Sequence, residues 1–300
     1  MQHASLRLGL YGCGQRTQKL IDIGAQQGLT RVTACYDLDP ARRDAVAGQY
    51  GARAVSTAGE LLEQGDIDAY LISLAPKYHA QAVLATLETG KPIFVEKPLA
   101  TSLVDARRVA AAVHRRQAIV RVGLAQRYIP VFQHITEMLR SDTLGQIVGF
   151  QHDWLARYAT RDPRNWRADP ETGGQLIYHY CHFFDITRAW FGDIRGVSAM
   201  TNHLHFPDSP SENEIYATVE FVDGAIGSLH FSEVSQRFDM IGRILGSRAT
   251  LEYAWNEHSQ IRLYREPGRQ PTEVLEGFSP DLPDDVILRE FVQEARGACP

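Results

Sequence analysis

The stretch Leu8-Gly9-Leu10-Tyr11-Gly12-Cys13-Gly14-Gln15-Arg16-Thr17 ends a short apolar segment and begins an amphipathic one. The apolar segment, Leu6 to Tyr11, is typical of a buried strand, and Gln15 to Gln27 is typical of a helix. Between them, Gly12 allows a tight turn, and Gly14 lets the backbone approach a pyrophosphate at the helix N-terminus, where negative charge is stabilised. The pattern G-x-G-x-x-T at this place therefore predicts a dinucleotide-binding turn.

The next segment of the chain supports this interpretation. A second predicted strand, Arg31 to Tyr36, is followed by Asp37, roughly 20 residues beyond Gly14, where an acid binds the adenosine ribose hydroxyls. A carboxylate there repels a 2′-phosphate, so we expect NAD as the cofactor in preference to NADP. Thr17 replaces the third glycine, and we expect it to loosen the packing of helix on strand. The alternative is an ordinary tight turn at the glycines and a strand-end turn at Asp37.

The hydrophobic pattern changes along the chain at about residue 122. Before it, apolar strands alternate with helices, which predicts a doubly wound parallel sheet covered on both faces, an α/β Rossmann domain over residues 1–122. After it, the aromatic-rich helix Gln175 to Phe191 is followed by a run of strands, with Asp223-Gly224 as a hairpin turn. Residues 123–300 therefore form an α+β domain with a large, mostly antiparallel open sheet.

Composition excludes several classes of protein. The net charge is −5, and the 22% of charged residues form no basic stripe, which disfavours a nucleic-acid binder. No apolar run reaches the roughly 18–20 residues that cross a bilayer, and Met1 to Ser5 shows no signal-peptide pattern. The cysteines are scattered and form no C-x-x-C pair, so we expect no disulfide framework and a reducing, cytoplasmic location: Cys13, Cys35, Cys181 and Cys299.

A second group of polar residues follows the later strands of the first domain. Ala75-Pro76, His79 and Glu96-Lys97-Pro98 lie near carboxyl ends of predicted strands, where ligands bind in open α/β sheets. A lysine there can hydrogen-bond a substrate hydroxyl. Taken alone, however, Glu-Lys-Pro is equally typical of a protein surface.

Four stretches in this order resemble the glucose-fructose oxidoreductase / inositol dehydrogenase / MocA family. They are Gly12-Cys13-Gly14, Asp37-Leu38-Asp39-Pro40, Gly90 to Ala100 with Glu96-Lys97-Pro98, and Gly173-Gly174 followed by His182-Phe183-Phe184-Asp185. The resemblance covers nearly the whole chain. It implies NAD(P)-dependent hydride transfer at a sugar or polyol carbon, with Lys97 between nicotinamide and substrate and often a cis peptide before Pro98. The cofactor contacts that we expect are Gly12, Gly14, Gln15, Arg16, Asp37, Ala75, Pro76, His79, Glu96, Lys97 and Arg127.

The family's second motif is an acid followed, four positions later, by a histidine. Here His182 matches the proton-transfer histidine, and Tyr178 stands where an aspartate is usual. Residues four apart share a helical face, so Tyr178, His182 and Asp185 can line one site. We expect Lys97, His182 and Tyr178 to be catalytic, and Asp185 either orients His182 or forms local hydrogen bonds. The alternatives are a core histidine at 182 and a packing role for Tyr178.

Further substrate contacts are expected at His179 and Trp166. Trp166 lies in the predicted loop Asp162 to Gly174 and could stack on a sugar ring or belong to a solvated loop. Arg127 approaches cofactor or substrate, or has a structural role. The pairs His179 with His182 and His203 with His205 invite a zinc interpretation, but each lacks an evident third ligand, so we expect no metal.

The sequence thus predicts an NAD-dependent dehydrogenase or reductase for a secondary alcohol or ketone of a sugar, polyol or inositol-like substrate. The resemblance implies a homodimer or homotetramer paired through the open sheet. Two alternatives are an NAD-using glycosidase of the same family and a non-catalytic NAD-binding regulator; Tyr178 favours the regulator, whereas Lys97 and His182 argue against it. Pro283 to Arg296 predicts a final amphipathic helix. Family members usually continue beyond it with elements that pack back on the nucleotide domain; if that packing is missing, we expect the domain contact to be weaker or supplied by another subunit.

Overall fold

The computed structural model describes residues 4–157, 174–205 and 212–297, with the backbone alone at 174–176. The strands are β1 (Leu6–Tyr11), β2 (Thr30–Tyr36), β3 (Arg53–Ala54), β4 (Ala69–Ile72), β5 (Ile93–Val95), β6 (Val120–Val122), β7 (Ile147–Arg157), β8 (Ile194–Asn202), β9 (Glu214–Phe221), β10 (Ile226–Ser232), β11 (Val234–Gly246), β12 (Thr250–Trp255), β13 (Gln260–Tyr264) and β14 (Glu273–Glu276). The helices are α1 (Gln15–Gln26), α2 (Pro40–Tyr50), α3 (Ala58–Leu62), α4 (His79–Thr86), α5 (Leu103–Arg116), α6 (Pro130–Arg140), α7 (Gly174–Phe191) and α8 (Asp284–Ala295). They belong to two structural units.

The first unit contains a six-stranded sheet in the order β3-β2-β1-β4-β5-β6, and its strand pairs are parallel. Its central strands are apolar on both faces, as in Leu8, Leu10 and Ile72, because helices cover both sides of a parallel sheet. The order is that of a doubly wound sheet, and it confirms the predicted Rossmann domain. Since the strands run in one direction, the residues after β1, β2, β4 and β5 gather at one edge.

Local sequence explains how helices begin at this edge. Asp39 caps α2 by accepting hydrogen bonds from the backbone amides of Ala41 and Arg42, and Pro40 occupies the first helical turn. Gly51, in the left-handed conformation, ends the helix.

The first unit also includes α8, from the far end of the chain, which differs from the predicted division at 122/123 with one domain to residue 300. The apolar face of α8 is buried within this unit: Phe291 packs edge-to-face on Phe94 at 5.6 Å, and Leu288 approaches Gly24 of α1. Arg121 adds ion pairs to Glu290 and Glu294. Amphipathicity predicted the helix but could not identify its partner.

The second unit, described from Ala125 to Leu282 apart from the stated gaps, contains an eight-stranded sheet in the order β14-β13-β12-β11-β7-β10-β9-β8. Only the β7–β10 pair is parallel among the pairs described, which confirms a large, mostly antiparallel sheet. Asp223-Gly224 forms the predicted turn between β9 and β10, with Gly224 at φ +96°.

The two faces of this sheet differ. Alternate residues of β7, such as His152 and Trp154, point into an aromatic core with α6 and α7, where the ring of His152 stacks on that of Phe183. The residues between them, such as Asp153, lie on the opposite face, which no described helix of this unit covers. Among the described residues, no helix has the length and apolar character that a membrane span requires.

Candidate active site

The glycine turn after β1 has the form that a pyrophosphate requires. Gly12 has φ +104°, and a Cβ at this position would lie 2.2 Å from the carbonyl oxygen of Ser73, so no other residue fits without moving β4. Gly14 is the N-cap of α1, and a Cβ there would meet nothing within 4 Å. The space in front of the helix is therefore open.

The N-terminus of α1 has no anionic group of its own. Gly14 provides no side-chain cap, and the first turn contains no acidic residue. The first amides of a helix lack intrahelical acceptors and carry the positive end of its dipole. These first amides begin with that of the exposed Gln15, and such a helix N-terminus is a binding site for anions.

Thr17, at the third glycine position, is integrated into the turn. Its side chain is fully buried, and its hydroxyl donates a hydrogen bond to the carbonyl oxygen of Gly12 at 3.0 Å. The expectation that Thr17 loosens the packing is wrong, because the hydroxyl fastens the helix to the turn instead.

Asp37 is held beside the same turn. Its Oδ2 accepts from the amide of Cys13 and its Oδ1 from the amide of Asp39, each at 2.8 Å, and the guanidinium of Arg42 lies 3.3 Å from Oδ1. Three features together fit a dinucleotide: the fixed carboxylate at the end of β2, the open N-terminus of α1 and the glycine turn without Cβ atoms.

Glu96 and Lys97 follow β5 at this edge of the sheet. The buried Glu96 carboxylate accepts from Arg16 Nε at 2.7 Å and from the amide of Lys97 at 3.1 Å. The side chain of Lys97 is partly buried. The Lys97–Pro98 peptide bond is cis, which confirms that expectation from the resemblance.

Arg16, predicted as a cofactor contact, takes part in an ion-pair chain within the first unit. Its two terminal nitrogens donate to Asp284 of α8 at 2.7 and 2.8 Å, while Nε reaches Glu96. Lys19 adds a second cation at 2.9 Å from Asp284. Although burial alone would raise the pKa of Asp284, its hydrogen bonds and charge interactions with Arg16 and Lys19 hold that pKa below its usual range. Sequence reasoning missed Asp284, because an acid at a helix start is typical of ordinary capping.

His79, another predicted cofactor contact, is buried with both ring nitrogens on backbone groups. Nδ1 donates to the carbonyl oxygen of Pro98 at 2.7 Å, and Nε2 accepts from the amide of Leu74 at 3.1 Å. Burial lowers the pKa of His79, so its neutral form is favoured. The ring thus ties the segment after β4 to the one after β5. Pro76 beside it is buried, and Ala75 is partly exposed.

In the second unit, the motif residues lie along α7. Tyr178 and His182 are both partly buried and one helical turn apart. The ring of Tyr178 contacts that of the buried His179, with 4.6 Å between centroids. These residues occupy the same region of the helix, as the spacing predicted.

Asp185 forms an ion pair with Arg127. Both carboxylate oxygens accept from the guanidinium, each at 2.5 Å, in a bidentate geometry. Two roles were considered for Asp185: orienting His182 and forming local hydrogen bonds. The ion pair with Arg127 corresponds to the second role. Arg127 belongs to the second unit, and Asp185 is its structural partner there.

Glu233 is a residue of this region that sequence reasoning missed. It links β10 to β11, is 1% exposed, and accepts hydrogen bonds from the Tyr180 hydroxyl at 2.7 Å and from His179 Nδ1 at 3.1 Å. A single glutamate after a strand carries no motif that would have indicated it.

Three further predicted residues are Trp166, His203 and His205. Trp166 and the loop around it lie outside the described residues. His203 and His205 are exposed after β8. Within residues 4–157, 174–205 and 212–297, no three His, Cys, Asp or Glu side chains are arranged to hold a metal.

The fold and the turn before α1 define a Rossmann-type oxidoreductase with an additional α+β domain. Residues 6–124 match the family described as "Oxidoreductase family, NAD-binding Rossmann fold", and residues 132–252 match the "GFO/IDH/MocA C-terminal domain". The chain therefore belongs to the Gfo/Idh/MocA oxidoreductase family, as the resemblance indicated.

Individual proteins are similar to this chain in sequence or in fold. An inositol 2-dehydrogenase of Acidothermus cellulolyticus is 28% identical over 89% of this chain and 78% of its own. A putative NADPH-dependent oxidoreductase of Desulfitobacterium hafniense has a similar structure, with a TM-score of 0.88, 19% identity and coverage of 99% and 90% of the two chains. The WlbA dehydrogenase of Bordetella pertussis, solved with NADH and UDP-GlcNAcA, gives a TM-score of 0.83 at 22% identity over 98% of this chain and 89% of its own.

Proposed function

We propose that this oxidoreductase is a dehydrogenase or reductase that uses NAD to interconvert a secondary alcohol and a ketone on a sugar, polyol or inositol-like substrate. The observation that carries the proposal is the joint presence of the open α1 N-terminus, the fixed Asp37 carboxylate and Lys97 at one edge of the sheet. The names of the relatives, which include an inositol dehydrogenase, support the substrate class.

Each group of residues would have a separate role in binding or proton transfer. The amides of α1 and the turn at Gly12 and Gly14 would hold the pyrophosphate, and Asp37 would bind the adenosine ribose hydroxyls. Bound NAD supplies the hydride acceptor or donor. Lys97 would hydrogen-bond the reacting substrate oxygen, and His182 would exchange its proton, because an imidazole can both accept and donate one.

Tyr178 would give the site its own substrate preference. Its phenol donates a hydrogen bond where the family's carboxylate accepts one. We propose that it contacts a substrate oxygen, favouring a carbonyl- or carboxylate-bearing sugar, with packing against His179 as the alternative.

We also propose that two or more copies associate through the open face of the eight-stranded sheet. Its β8, β9 and β10 strands expose large apolar side chains there, notably Met200 (81% exposed), Tyr216 (57%) and Ile226 (57%). Exposed apolar patches of this kind are typical of interfaces. A cytoplasmic location remains a prediction from the composition.

A screen of polyols, inositols, sugars and sugar acids with NAD or NADH, followed at the NADH absorbance, tests the activity. We expect turnover with at least one compound of this class. Substrate cleavage without net NADH would indicate the glycosidase instead. NAD binding without turnover of any compound, in either direction, would contradict the proposal and favour a regulator.

A further inference from the structure

The buried carboxylate of Glu233 has no part in the function proposed so far. Glu233 is the single residue between β10 and β11, which pair with opposite edges of β7, so it crosses the end of that strand. Its amide donates to the carbonyl oxygen of Asn213 at 2.9 Å, which fixes the backbone there. Its side chain is 1% exposed.

A buried carboxylate is costly unless hydrogen bonds satisfy it. Oε1 has two donors, the Tyr180 hydroxyl at 2.7 Å and His179 Nδ1 at 3.1 Å. Oε2 is buried and has no hydrogen-bond partner among the residues that the structure describes. The contacts of Oε1 thus direct the carboxylate towards α7, the helix that contains the motif residues.

The contact determines which nitrogen of His179 carries a proton. A carboxylate only accepts, and here its oxygen lies on Nδ1, so Nδ1 is protonated. In the neutral ring, Nε2 is then an acceptor. Second partners fix histidine tautomers in this way in metal sites and hydrolase triads.

His179 lies next to the motif position, so its Nε2 can replace the acceptor that the motif normally provides. The family motif places a carboxylate at residue 178, where this chain has Tyr178, so the acceptor of the motif is lost. His179 is the next residue, its ring touches that of Tyr178, and it is 9% exposed. The other titratable groups nearby on α7 are Tyr180, Cys181 and His182.

We propose that Glu233 is a positioning residue that holds His179 as the hydrogen-bond acceptor for a substrate hydroxyl, in place of the motif acid. His179 and Tyr178 then form an acceptor–donor pair, which selects a substrate with a hydroxyl next to a carbonyl or carboxylate oxygen. This inference rests on the proposed dehydrogenase function.

The tautomer is tested without any substrate. In full-length protein labelled with ¹⁵N-histidine, two-bond ¹H–¹⁵N correlations report which ring nitrogen is protonated, and loss of a signal in His179→Asn assigns it. We expect the Nδ1–H form in the wild type and in Glu233→Gln, because both neighbours of Oε1 are donors and the amide oxygen should face them. Glu233→Met removes the acceptor and should populate the Nε2–H form. An unchanged His179 tautomer in Glu233→Met would overturn the proposal.

A matched control uses a second histidine–carboxylate pair on the opposite face of the sheet. Asp153 Oδ1 lies 3.1 Å from His230 Nδ1, so Asp153→Asn should alter the His230 signals and leave those of His179 unchanged. Thermal melting of each variant shows whether it is folded. If Glu233→Met does not fold, the tautomer of His179 is measured in Tyr180→Phe and Glu233→Gln instead. An Nε2–H tautomer in both of these variants would overturn the proposal.

Kinetics then test the role in substrate binding. With a substrate from the screen, His179→Phe and Glu233→Met should each raise KM by about tenfold, with a smaller change in kcat and unchanged NAD affinity. The double variant should be no worse than either single variant, since the two residues act as one unit. Additive losses would contradict the inference. Absence of any turnover would reject the proposed function, while the tautomer measurement would still decide whether Glu233 positions His179.

Discussion

Asp284 is the buried acid through which α8 is attached to the first unit, and its replacement by asparagine tests that attachment. Three cationic nitrogens lie within 2.7–2.9 Å of the carboxylate, two from Arg16 and one from Lys19. Breaking a buried ion pair costs about 3–5 kcal/mol. Solvent reduces this value, because the Arg16 and Lys19 side chains are 31% and 55% exposed, and the asparagine oxygen keeps one acceptor. We therefore expect a loss of about 2 kcal/mol.

Thermal melting measures this loss, which corresponds to about 4–8 °C in Tm at the scale of ~2–4 °C per kcal/mol. The matched control is Asp285→Asn, on the same first turn of α8, whose side chain is 39% exposed and pairs only with Arg289 among the described ion pairs. Both substitutions remove one charge near the helix N-terminus, so their difference isolates the contacts of Asp284. We expect Asp285→Asn to lower Tm by no more than about 2 °C.

The pH dependence supplies a second check on the same variant. The pKa of Asp284 is lowered in the folded protein from an ordinary value of 3.8, so its contribution is present above that value and declines as the pH falls through the folded pKa. The Tm difference between wild type and Asp284→Asn should therefore be full at neutral pH and shrink on acidification below pH ~4. Equal Tm values at neutral pH, or a difference that grows on acidification, would refute the role assigned to Asp284.

Four further predictions concern the site and the assembly. NAD should bind more tightly than NADP, and Asp37→Ser should reduce that preference by about tenfold in fluorescence titrations; tighter NADP binding by the wild type would reject the assignment of Asp37. Lys97→Met should leave the fold and NAD affinity intact and lower turnover by about a hundredfold, and near-normal turnover would remove Lys97 from the site. Tyr178→Phe should reduce kcat/KM by about 1–3 kcal/mol in transition-state free energy, whereas an unaltered value supports packing. Ile226→Lys should dissociate the assembly in light-scattering measurements, and an unchanged mass would argue against pairing through the open face.

The residues that sequence reasoning placed together are those whose partners lie nearby in the chain. Gly12, Gly14 and Asp37 belong to one βαβ unit, so spacing alone places them together at the sheet edge. Tyr178 and His182 are related by the period of one helix. These local relations, with the change in strand pattern near residue 122, were sufficient for the fold of both units.

The contacts that sequence reasoning missed join residues that the fold brings together. Arg16 was predicted as a cofactor contact because it follows the glycine turn, and its ion pair with an acid 268 residues away was not predicted. Glu233 and His179 are 54 residues apart and are brought together by strand pairing. His79 was interpreted from its place after a strand, but burial directs its ring onto backbone groups. Such contacts depend on tertiary packing, for which a single sequence has no periodic signal.

The attachment of α8 also bears on how the chain is synthesised. Among the described residues, the nucleotide domain ends at Leu124 and resumes at Pro283, so the second unit is inserted into the first along the chain. Ribosomes deliver domains from the N-terminus onwards. The surface around Phe94 and the cations Arg16 and Lys19 are therefore made long before the helix that covers them. While the inserted unit is being synthesised, the nascent nucleotide domain lacks α8, and the apolar face that α8 covers is exposed. We expect chaperones to bind that face during this interval.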